Sequence, residues 1–247
     1  MKRLTQESEL ISLSFHSMTI SQIQDHQAQC ARCQRLVEWR EAAAANPPLR
    51  FRGESYWAHA VPSLGEEKAR MLIVGLAPAA HGANRTGRMF TGDKSGDWLF
   101  RSMFRSGFCT QPTSATKNDG LELRDCYIAA AAHCAPPGNK PLPEELRNCR
   151  PYLLEELREL RELRVVLGLG KIGFDAAFDA LREVGFTTLK TRPKFGHGAK
   201  FEVGETARGA KLWLLGTYHP SQQNTFTGRL TQPMLDAVFA AAREILD

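Results

Sequence analysis

The sequence predicts an α/β protein, a single three-layer α/β/α domain built on a central, mostly parallel four-stranded sheet. Four short apolar runs alternate along the chain with longer segments of helical period. Nearly uniform apolar runs bounded by glycine or proline are typical of strands buried on both faces. Their alternation with helices favours a parallel sheet with helices on both sides. A length of 247 residues suits one domain with one sizeable core.

The individual elements follow from these runs. The predicted strands are 70–75, 126–132, 164–169 and 211–216. The predicted helices are 96–106, 143–162, 171–184 and 231–246. Within the second of these helices, the repetitive run LLEELRELREL (153–163) is predicted to be a solvated amphipathic surface.

The N-terminal part of the chain precedes this alternation. Residues 1–20 show no clear period and are expected to form a poorly ordered extension, which leaves 21–247 as the domain. A helical pattern then runs from about Ser21 to Ala45, with two cysteines inside it or at a break in it. The sequence Asn46-Pro47-Pro48 ends this segment.

Composition indicates the class of partner and the compartment. Contents of 43% hydrophobic and 24% charged residues are ordinary for a soluble globular protein. A net charge of +5 and a pI near 9.0 favour a polyanionic partner. No apolar stretch reaches the roughly 18 residues that a membrane helix needs, and the start, MKRLTQESELISLSFH, lacks a signal-peptide core. We therefore expect a cytoplasmic monomer with no membrane partner.

Three polar loops follow three of the predicted strands. The first is the glycine-rich GLAPAAHGANRTGRMFTGD (75–93), the second spans 133–141 and the third spans 217–224. In sheets of this class, ligands bind in a crevice outside the carboxyl ends of the strands. The sequence therefore predicts that the three loops converge on one binding site.

The six cysteines suggest a metal centre rather than disulfides, because no secretion signal precedes them. Cys30 and Cys33 form a C-x2-C pair, and Cys134 and Cys149 form a looser second pair. Four thiolates could hold a tetrahedral zinc or a 4Fe–4S cluster, and spacing does not choose between them. Cys109 and Cys126 are better interpreted as buried free thiols.

Five motifs in chain order point to a family. They are C-x2-C-x-x-L (30–36), GLAPAAHG (75–82), NRTGRMFTGD (84–93), CAPPxNKP (134–141) and HPSxQNTxTGRLT (219–231). With them the chain resembles the uracil-DNA glycosylase superfamily, and within it the iron–sulfur members of family 5, or type B. The resemblance covers about residues 28–240, and the five motifs together are highly specific.

The resemblance implies a DNA glycosylase of base excision repair that acts on DNA containing deaminated bases. It implies a flipped-out base in the crevice and a 4Fe–4S cluster on Cys30, Cys33, Cys134 and Cys149. The cluster would lie away from the chemistry and staple the N-terminal helical segment to the domain.

Two departures distinguish the subgroup. The loop GLAPAA carries no carboxylate where other branches of the superfamily place an acidic or amide residue. Ala130 stands where the other iron–sulfur group has an asparagine that reads the uracil edge. Loss of that amide would remove a selective hydrogen bond and enlarge the pocket, which favours a range that includes hypoxanthine and xanthine.

The same loops supply candidates for the chemistry. Phe90 is expected to stack on the flipped base, with the backbone of Gly75, Ala77 and Gly82 approaching it closely. His219 is expected to stabilise negative charge on the leaving base as a neutral imidazole.

Asp93 is the leading candidate to orient water or support the sugar cation. The alternative for Asp93 is that it caps the next helix. His81 and Asn84 could hold water or touch phosphate.

DNA contacts are expected from the polar residues around this site. Gln222, Gln223 and Asn224 begin the segment predicted to enter the minor groove. The expected phosphate contacts are Arg85, Arg88, Lys140 and Arg229; the alternative for each is a solvated surface charge.

The leading function is a monofunctional glycosylase, because no lysine follows the usual lyase pattern. Two other classes stay open: a non-catalytic iron–sulfur protein that binds damaged DNA, and a zinc-stapled hydrolase of nucleotides.

Overall fold

A computed structural model describes residues 18–206 and 208–247. Its helices are α1 Ile20–Ala28, α2 Gln34–Ala45, α3 Ala83–Thr86, α4 Lys94–Arg105, α5 Pro143–Glu159, α6 Gly170–Glu183, α7 Gln222–Phe226 and α8 Gln232–Leu246. Its strands are β1 Leu64–Gly65, β2 Met71–Gly75, β3 Cys126–Ala130, β4 Val165–Leu169, β5 Ala199–Glu205 and β6 Lys211–Thr217.

The sheet of the described residues has six strands in the order β1-β3-β2-β4-β6-β5. The four central strands are the four predicted ones, and they pair in parallel. The prediction of four strands was wrong in number, because β1 and β5 add antiparallel edges. β1 has only two residues and β5 alternates apolar with polar residues. Neither therefore has the continuous apolar run by which a strand buried on both faces is recognised.

Helices cover both faces of the sheet, as the three-layer prediction requires. Alternate side chains of each central strand enter two separate cores, because successive residues of a strand point to opposite faces. On one face, Leu72 and Val74 pack with residues of α1, α5 and α6. On the other face, Met71 and Ile73 pack with residues of α4 and α8. None of the helices within 18–206 and 208–247 has the length and apolar character needed to cross a membrane.

The N-terminal helical segment is two helices separated by a break, and both Cys30 and Cys33 lie at that break. Thr19 caps α1 in a reciprocal arrangement with Gln22, which satisfies backbone donors at the helix start. Residues 1–17 of the predicted extension lie outside the described residues, whereas Met18 and Ile20 are buried against the domain.

Helix α5 differs from its prediction as a solvated surface, because Glu156 is completely buried. Its carboxylate accepts hydrogen bonds from Gln27 Nε2 at 2.7 Å and from Tyr127 Oη at 3.1 Å. Burial raises the pKa of Glu156 to about 7. The residue thus joins α1, α5 and β3 through one buried polar cluster.

Candidate active site

The three predicted loops meet in one cleft of about 560 Å³. The first loop contributes His81 and Asp93 to its lining, the second contributes Asn139 and the third contributes Gln222. The convergence follows from topology, since β2, β3 and β6 run parallel and end at the same edge of the sheet.

Phe90 lies at the centre of the first loop in a left-handed backbone conformation, with φ 55°. This conformation is uncommon for a non-glycine residue and often marks a functional constraint. Two glycines make room for it. A Cβ added to Gly75 would lie 3.2 Å from Phe90 Cζ, and one added to Gly96 would lie 1.7 Å from the Phe90 carbonyl oxygen. The Phe90 ring is therefore held over the end of β2.

His219 lies beside that ring, with centroids 5.9 Å apart and planes inclined by 30°. Burial lowers the pKa of His219 to about 4, so the imidazole is neutral at physiological pH. Its Nδ1 is buried and has no hydrogen-bond partner among the described residues. A buried polar atom without a hydrogen-bond partner is unfavourable. An oxygen of a ligand stacked on Phe90 could accept a hydrogen bond from this nitrogen.

Asp93 is the N-cap of α4, and its Oδ1 accepts a hydrogen bond from the Gly96 amide at 3.0 Å. The capping alternative is therefore observed, but it does not exclude chemistry, because Asp93 also lines the cleft. Burial raises the pKa of Asp93, and hydrogen bonds from the amides of Gly96 and Ser95 oppose that rise.

His81 and Arg85 line the same cleft and are fixed by their neighbours. His81 Nδ1 lies 3.0 Å from Tyr56 Oη. Burial, together with Arg50 and Arg85, lowers the pKa of His81. Arg85 pairs with Glu54 at 2.5 Å and lies over the Phe51 ring at 4.1 Å. Both residues are thus preorganised at the cleft wall.

Asn84 and Arg88 have structural surroundings rather than the expected ligand contacts. Asn84 is fully buried, and its Nδ2 donates to the carbonyl oxygens of Arg40 and Ala80 at 3.1 and 3.2 Å. Arg88 is buried and pairs with Asp119, and it donates to Ser114 Oγ at 2.5 Å. These contacts favour a structural role for both residues, although Asn84 Oδ1 is buried and has no hydrogen-bond partner among the described residues. The expected ligand contacts of Asn84 and Arg88 therefore stay predictions.

The remaining expected DNA contacts lie on the surface. Lys140, Gln222, Gln223 and Arg229 are exposed. The Arg229 guanidinium lies over the Tyr218 ring at 4.5 Å. Asn224 is instead partly buried, and its Nδ2 donates to the His219 carbonyl oxygen at 2.8 Å. Asn224 thus fixes the turn that carries His219.

Ala130 occupies the predicted position next to the base-binding loop. It pairs in register with Gly75 on the neighbouring strand. It is buried in the core against which Phe90 packs, whereas Ala77 packs against the core on the other face of the sheet. The edge of the site at β3 is therefore apolar and small.

The four candidate ligand cysteines come together on the α1, α2 and α5 side of the domain. Cys134 packs with Cys30 and Cys33 around Leu36 and Ala60. Cys149 is close enough for charge on Cys134, Cys30 and Cys33 to raise its pKa further, although burial is the main cause of its rise to about 12. Cys109 and Cys126 lie elsewhere in the core, as predicted for buried thiols.

Three N–H groups point at these sulfurs. The guanidinium of Arg40 donates to Cys134 Sγ at 3.0 Å, the His133 amide to Cys149 Sγ at 3.3 Å and Asn148 Nδ2 to Cys33 Sγ at 3.5 Å. Within residues 18–206 and 208–247, no three His, Cys, Asp or Glu side chains converge to hold a single metal ion.

Sequence reasoning missed Arg40 and Tyr56. Arg40 carries no motif signal and lies within an ordinary helical pattern, although it contacts Cys134. Tyr56 lies in a loop without predicted structure, although it holds His81. Only the tertiary contacts identify either residue.

Comparison with known proteins places the chain among DNA glycosylases. The model of the uracil DNA glycosylase superfamily matches residues 62–243. A type-5 uracil-DNA glycosylase of Mycobacterium tuberculosis (strain CDC 1551 / Oshkosh) is 46% identical over 217 residues, which cover 87% of this chain and 78% of that protein. The type-5 enzyme of Thermus thermophilus is 44% identical, with 87% and 93% covered. A type-4 enzyme of Archaeoglobus fulgidus is 31% identical, with 65% and 70% covered.

Proposed function

Because the chain belongs to the uracil-DNA glycosylase superfamily, and is thus a hydrolase acting on N-glycosyl bonds, we propose that it excises several deaminated bases from DNA. The substrates are uracil and, by the apolar character of the pocket edge, hypoxanthine and xanthine. The product is an abasic site in base excision repair.

The observation that carries the proposal is the arrangement of Phe90, Gly75 and His219 at the end of β2. The Phe90 ring lies against the Gly75 backbone, and its centroid lies 5.9 Å from that of the neutral His219 ring. The buried Nδ1 of His219 has no hydrogen-bond partner within residues 18–206 and 208–247. A flat, hydrogen-bonding ligand fits such surroundings. A nucleobase rotated out of the duplex is such a ligand.

Cleavage of an N-glycosidic bond leaves positive charge on the sugar and negative charge on the departing base. Phe90 stacks on the base and holds its plane. The neutral imidazole of His219 donates a hydrogen bond to a base oxygen as it becomes anionic, which stabilises the leaving group. The Asp93 carboxylate accepts a proton from the attacking water or faces the cationic sugar.

The base range follows from what the pocket lacks. At the β3 edge, Ala130 presents a methyl group, so no side-chain amide selects the uracil edge. A purine presents a different set of hydrogen-bonding groups from uracil. A pocket without a side-chain amide leaves no buried group unpaired when such a purine binds. The absence of a carboxylate from GLAPAA leaves Asp93 as the acid of the loop.

The cofactor we propose is a 4Fe–4S cluster on Cys30, Cys33, Cys134 and Cys149. These residues fit the group because four thiols cluster beside a buried arginine, and three of the sulfurs accept hydrogen bonds from N–H donors. When bound, the cluster supplies a covalent link between the break after α1, the loop after β3 and α5. The chemistry at the base needs none of its electrons.

The proposed DNA surface follows the cleft. Lys140 and Arg229 neutralise phosphates, and Gln222 and Gln223 on the short α7 face the groove beside the extruded nucleotide. The net charge of +5 supports association with DNA. We propose that the protein acts as a cytoplasmic monomer.

A glycosylase assay tests the function. Duplexes that carry one uracil, hypoxanthine or xanthine are incubated with the protein and then treated with alkali. We expect strand breaks for all three only after alkali, because the enzyme leaves an abasic site without cutting the strand. Intact strands for all three bases would overturn the proposal.

The cofactor has its own test, in which Cys149→Ala is compared with Cys109→Ala. We expect the first variant to lose bound iron and the brown absorbance at about 400 nm. The second should keep both, because Cys109 lies in the other core. Equal iron in both variants would exclude the assigned ligand set.

The alternative is a non-catalytic iron–sulfur protein that binds damaged DNA. The His219 Nδ1, which has no hydrogen-bond partner among the described residues, would hold a base in either protein, so excision separates the two functions. His219→Ala should abolish excision and keep DNA binding. A wild-type protein that binds uracil-containing DNA without excision would establish the alternative.

A further inference from the structure

Arg40 is a buried cation on α2, only 3% exposed. Its Nη1 donates to Cys134 Sγ at 3.0 Å and to the Cys30 carbonyl oxygen at 3.1 Å. The ion pairs within residues 18–206 and 208–247 do not include it. Arg40 therefore faces sulfur instead of a carboxylate.

A guanidinium stays protonated in proteins, and a buried charge is costly unless an opposite charge is near. A neutral thiol is only a weak acceptor and offers no charge. Thiolates that bind a cluster supply the missing negative charge directly beside Nη1. The position of Arg40 is thus favourable with the cluster bound and unfavourable without it.

The backbone of Arg40 contacts the other functional region. Its carbonyl oxygen accepts a hydrogen bond from Asn84 Nδ2 at 3.1 Å, and the same Nδ2 donates to the Ala80 carbonyl oxygen at 3.2 Å. Ala80 and His81 line the cleft. One residue therefore contacts a cysteine sulfur through its side chain and the first loop through its main chain.

We propose that Arg40 is a positioning residue that couples the cysteine site to the base-binding loop. Its guanidinium balances the charge of the bound cluster, and its carbonyl holds Asn84 and thereby residues 79–84. Loss of the cluster releases the loop, so the cluster governs excision without touching the base. The inference rests on the cofactor part of the proposed function.

The charge role is tested by iron release. Wild type, Arg40→Lys and Arg40→Gln, each loaded with cluster, are mixed with an iron chelator, and the loss of visible absorbance is timed. Gln can donate a neutral hydrogen bond, whereas Lys keeps the charge. We expect Arg40→Gln to release iron about tenfold faster or more, as a lost charge-assisted hydrogen bond implies, with Arg40→Lys between it and wild type.

Arg147→Gln is the matched control, because Arg147 is exposed and two residues from Cys149. It should release iron at the wild-type rate. Equal rates for Arg40→Gln and wild type, or for Arg40→Gln and Arg40→Lys, would overturn the charge role. If Arg40→Gln does not fold, as judged by circular dichroism, the neutral variant Arg40→Met replaces it: release faster than from Arg40→Lys supports the charge role, and an equal rate overturns it.

The coupling is tested by hydrogen exchange at the amides of residues 79–86, with residues 99–103 of α4 as the reference. Arg40→Gln and chelator-treated wild type should both exchange faster at 79–86 and equally at 99–103. Asn84→Ala should exchange faster at 79–86 with full iron content, because it breaks the link on the loop side only. Unchanged exchange at 79–86 in chelator-treated wild type would overturn the coupling, whatever the result for Asn84→Ala.

These readouts separate the two proposals. A protein that binds iron and fails to excise uracil leaves the Arg40 tests fully interpretable. A protein that excises uracil and never binds iron overturns the role of Arg40 and leaves the glycosylase intact.

Discussion

The Asp93 carboxylate lies directly against the backbone of Gly82: a Cβ added at residue 82 would lie 2.2 Å from Asp93 Oδ2. The other oxygen, Oδ1, caps α4 through the Gly96 amide. A glycine at 82 therefore lets one carboxylate both close a helix and face the cleft. Capping and chemistry then become separable by substitution.

Asp93→Asn separates the two roles. Asparagine caps helices about as well as aspartate, so the urea midpoint of unfolding should stay close to that of wild type. Removal of the carboxylate should lower the single-turnover excision rate by roughly 10²–10⁴, the usual contribution of a general base. Because burial raises the pKa of Asp93, the acid limb of the wild-type rate should lie above the pH at which an ordinary aspartate titrates.

The control is Asp97→Asn, which changes an acid that lines the same cleft. It should leave the rate within a few-fold of wild type. Full activity in Asp93→Asn would reduce Asp93 to a helix cap.

Ala130→Asn should narrow the base range. The new amide would enter the β3 edge of the site beside Gly75, where Ala130 pairs with it in register. It would add a hydrogen bond to uracil and crowd a purine. We expect excision of hypoxanthine and xanthine to fall by tenfold to a hundredfold relative to uracil, on the order of 1–3 kcal/mol. The ratio of kcat/KM values measures this, and an unchanged ratio would place the determinant of base range elsewhere.

Lys140 and Arg88 should respond differently to charge removal. Lys140→Ala should weaken DNA binding and reduce the slope of log Kd against log salt by about one, because one phosphate contact is lost. Arg88→Ala should instead lower the stability of the protein, since Arg88 pairs with Asp119 and donates to Ser114 inside the loop. Fluorescence anisotropy at several salt concentrations and urea unfolding check the two outcomes. A reduced slope of log Kd against log salt for well-folded Arg88→Ala would instead support the prediction that Arg88 contacts a phosphate.

Glu156 should make stability depend on pH. Burial raises the pKa of Glu156 to about 7, whereas an unfolded glutamate titrates near its ordinary value. Between these two pKa values the folded protein binds a proton at Glu156 that the unfolded chain does not. The stability that Glu156 contributes is therefore full below the unfolded pKa and is lost as pH rises to about 7. His133 and His219 have the opposite effect on stability, because burial lowers the pKa of each to about 4. The stability that each neutral histidine contributes is lost as pH falls from about 6.5 to 4.

A difference measurement isolates Glu156. The free energy of unfolding of wild type minus that of Glu156→Gln should fall by up to about 3 kcal/mol between pH 4.5 and 7.5, since each pKa unit is worth about 1.4 kcal/mol. The histidine contributions cancel in this difference. A flat difference for Glu156→Gln would mean that its carboxyl stays ionised when folded.

The central fold could be predicted because its signal is local. The strand at 165–169 is a continuous apolar run, and burial on both faces demands such a run. Edge strand β5 has exposed and partly exposed residues at most positions, so its pairing with β6 is decided by register rather than by composition. The same holds for β1, whose two residues carry no pattern at all.

Site residues could be predicted only where a residue of suitable chemistry directly follows a predicted strand. Phe90, Asp93 and His219 follow strand ends, and topology brings them to one edge. Asn84 has the same kind of position, yet its amide turns inward to Arg40. Polar residues in a glycine-rich loop look alike in sequence, and only burial separates those that hold the loop from those that face the cleft.

The separation of the four cysteines along the chain sets an order of assembly. During synthesis Cys30 and Cys33 leave the ribosome first, and Cys149 follows only after β2, β3 and the loops between them have been made. The first pair cannot meet Cys149 until helix α5 exists, and by then β1, β2 and β3 of the six described strands have been made. The N-terminal helices therefore wait for half of the sheet to be synthesised before all four cysteines can meet, although they are the first to be translated.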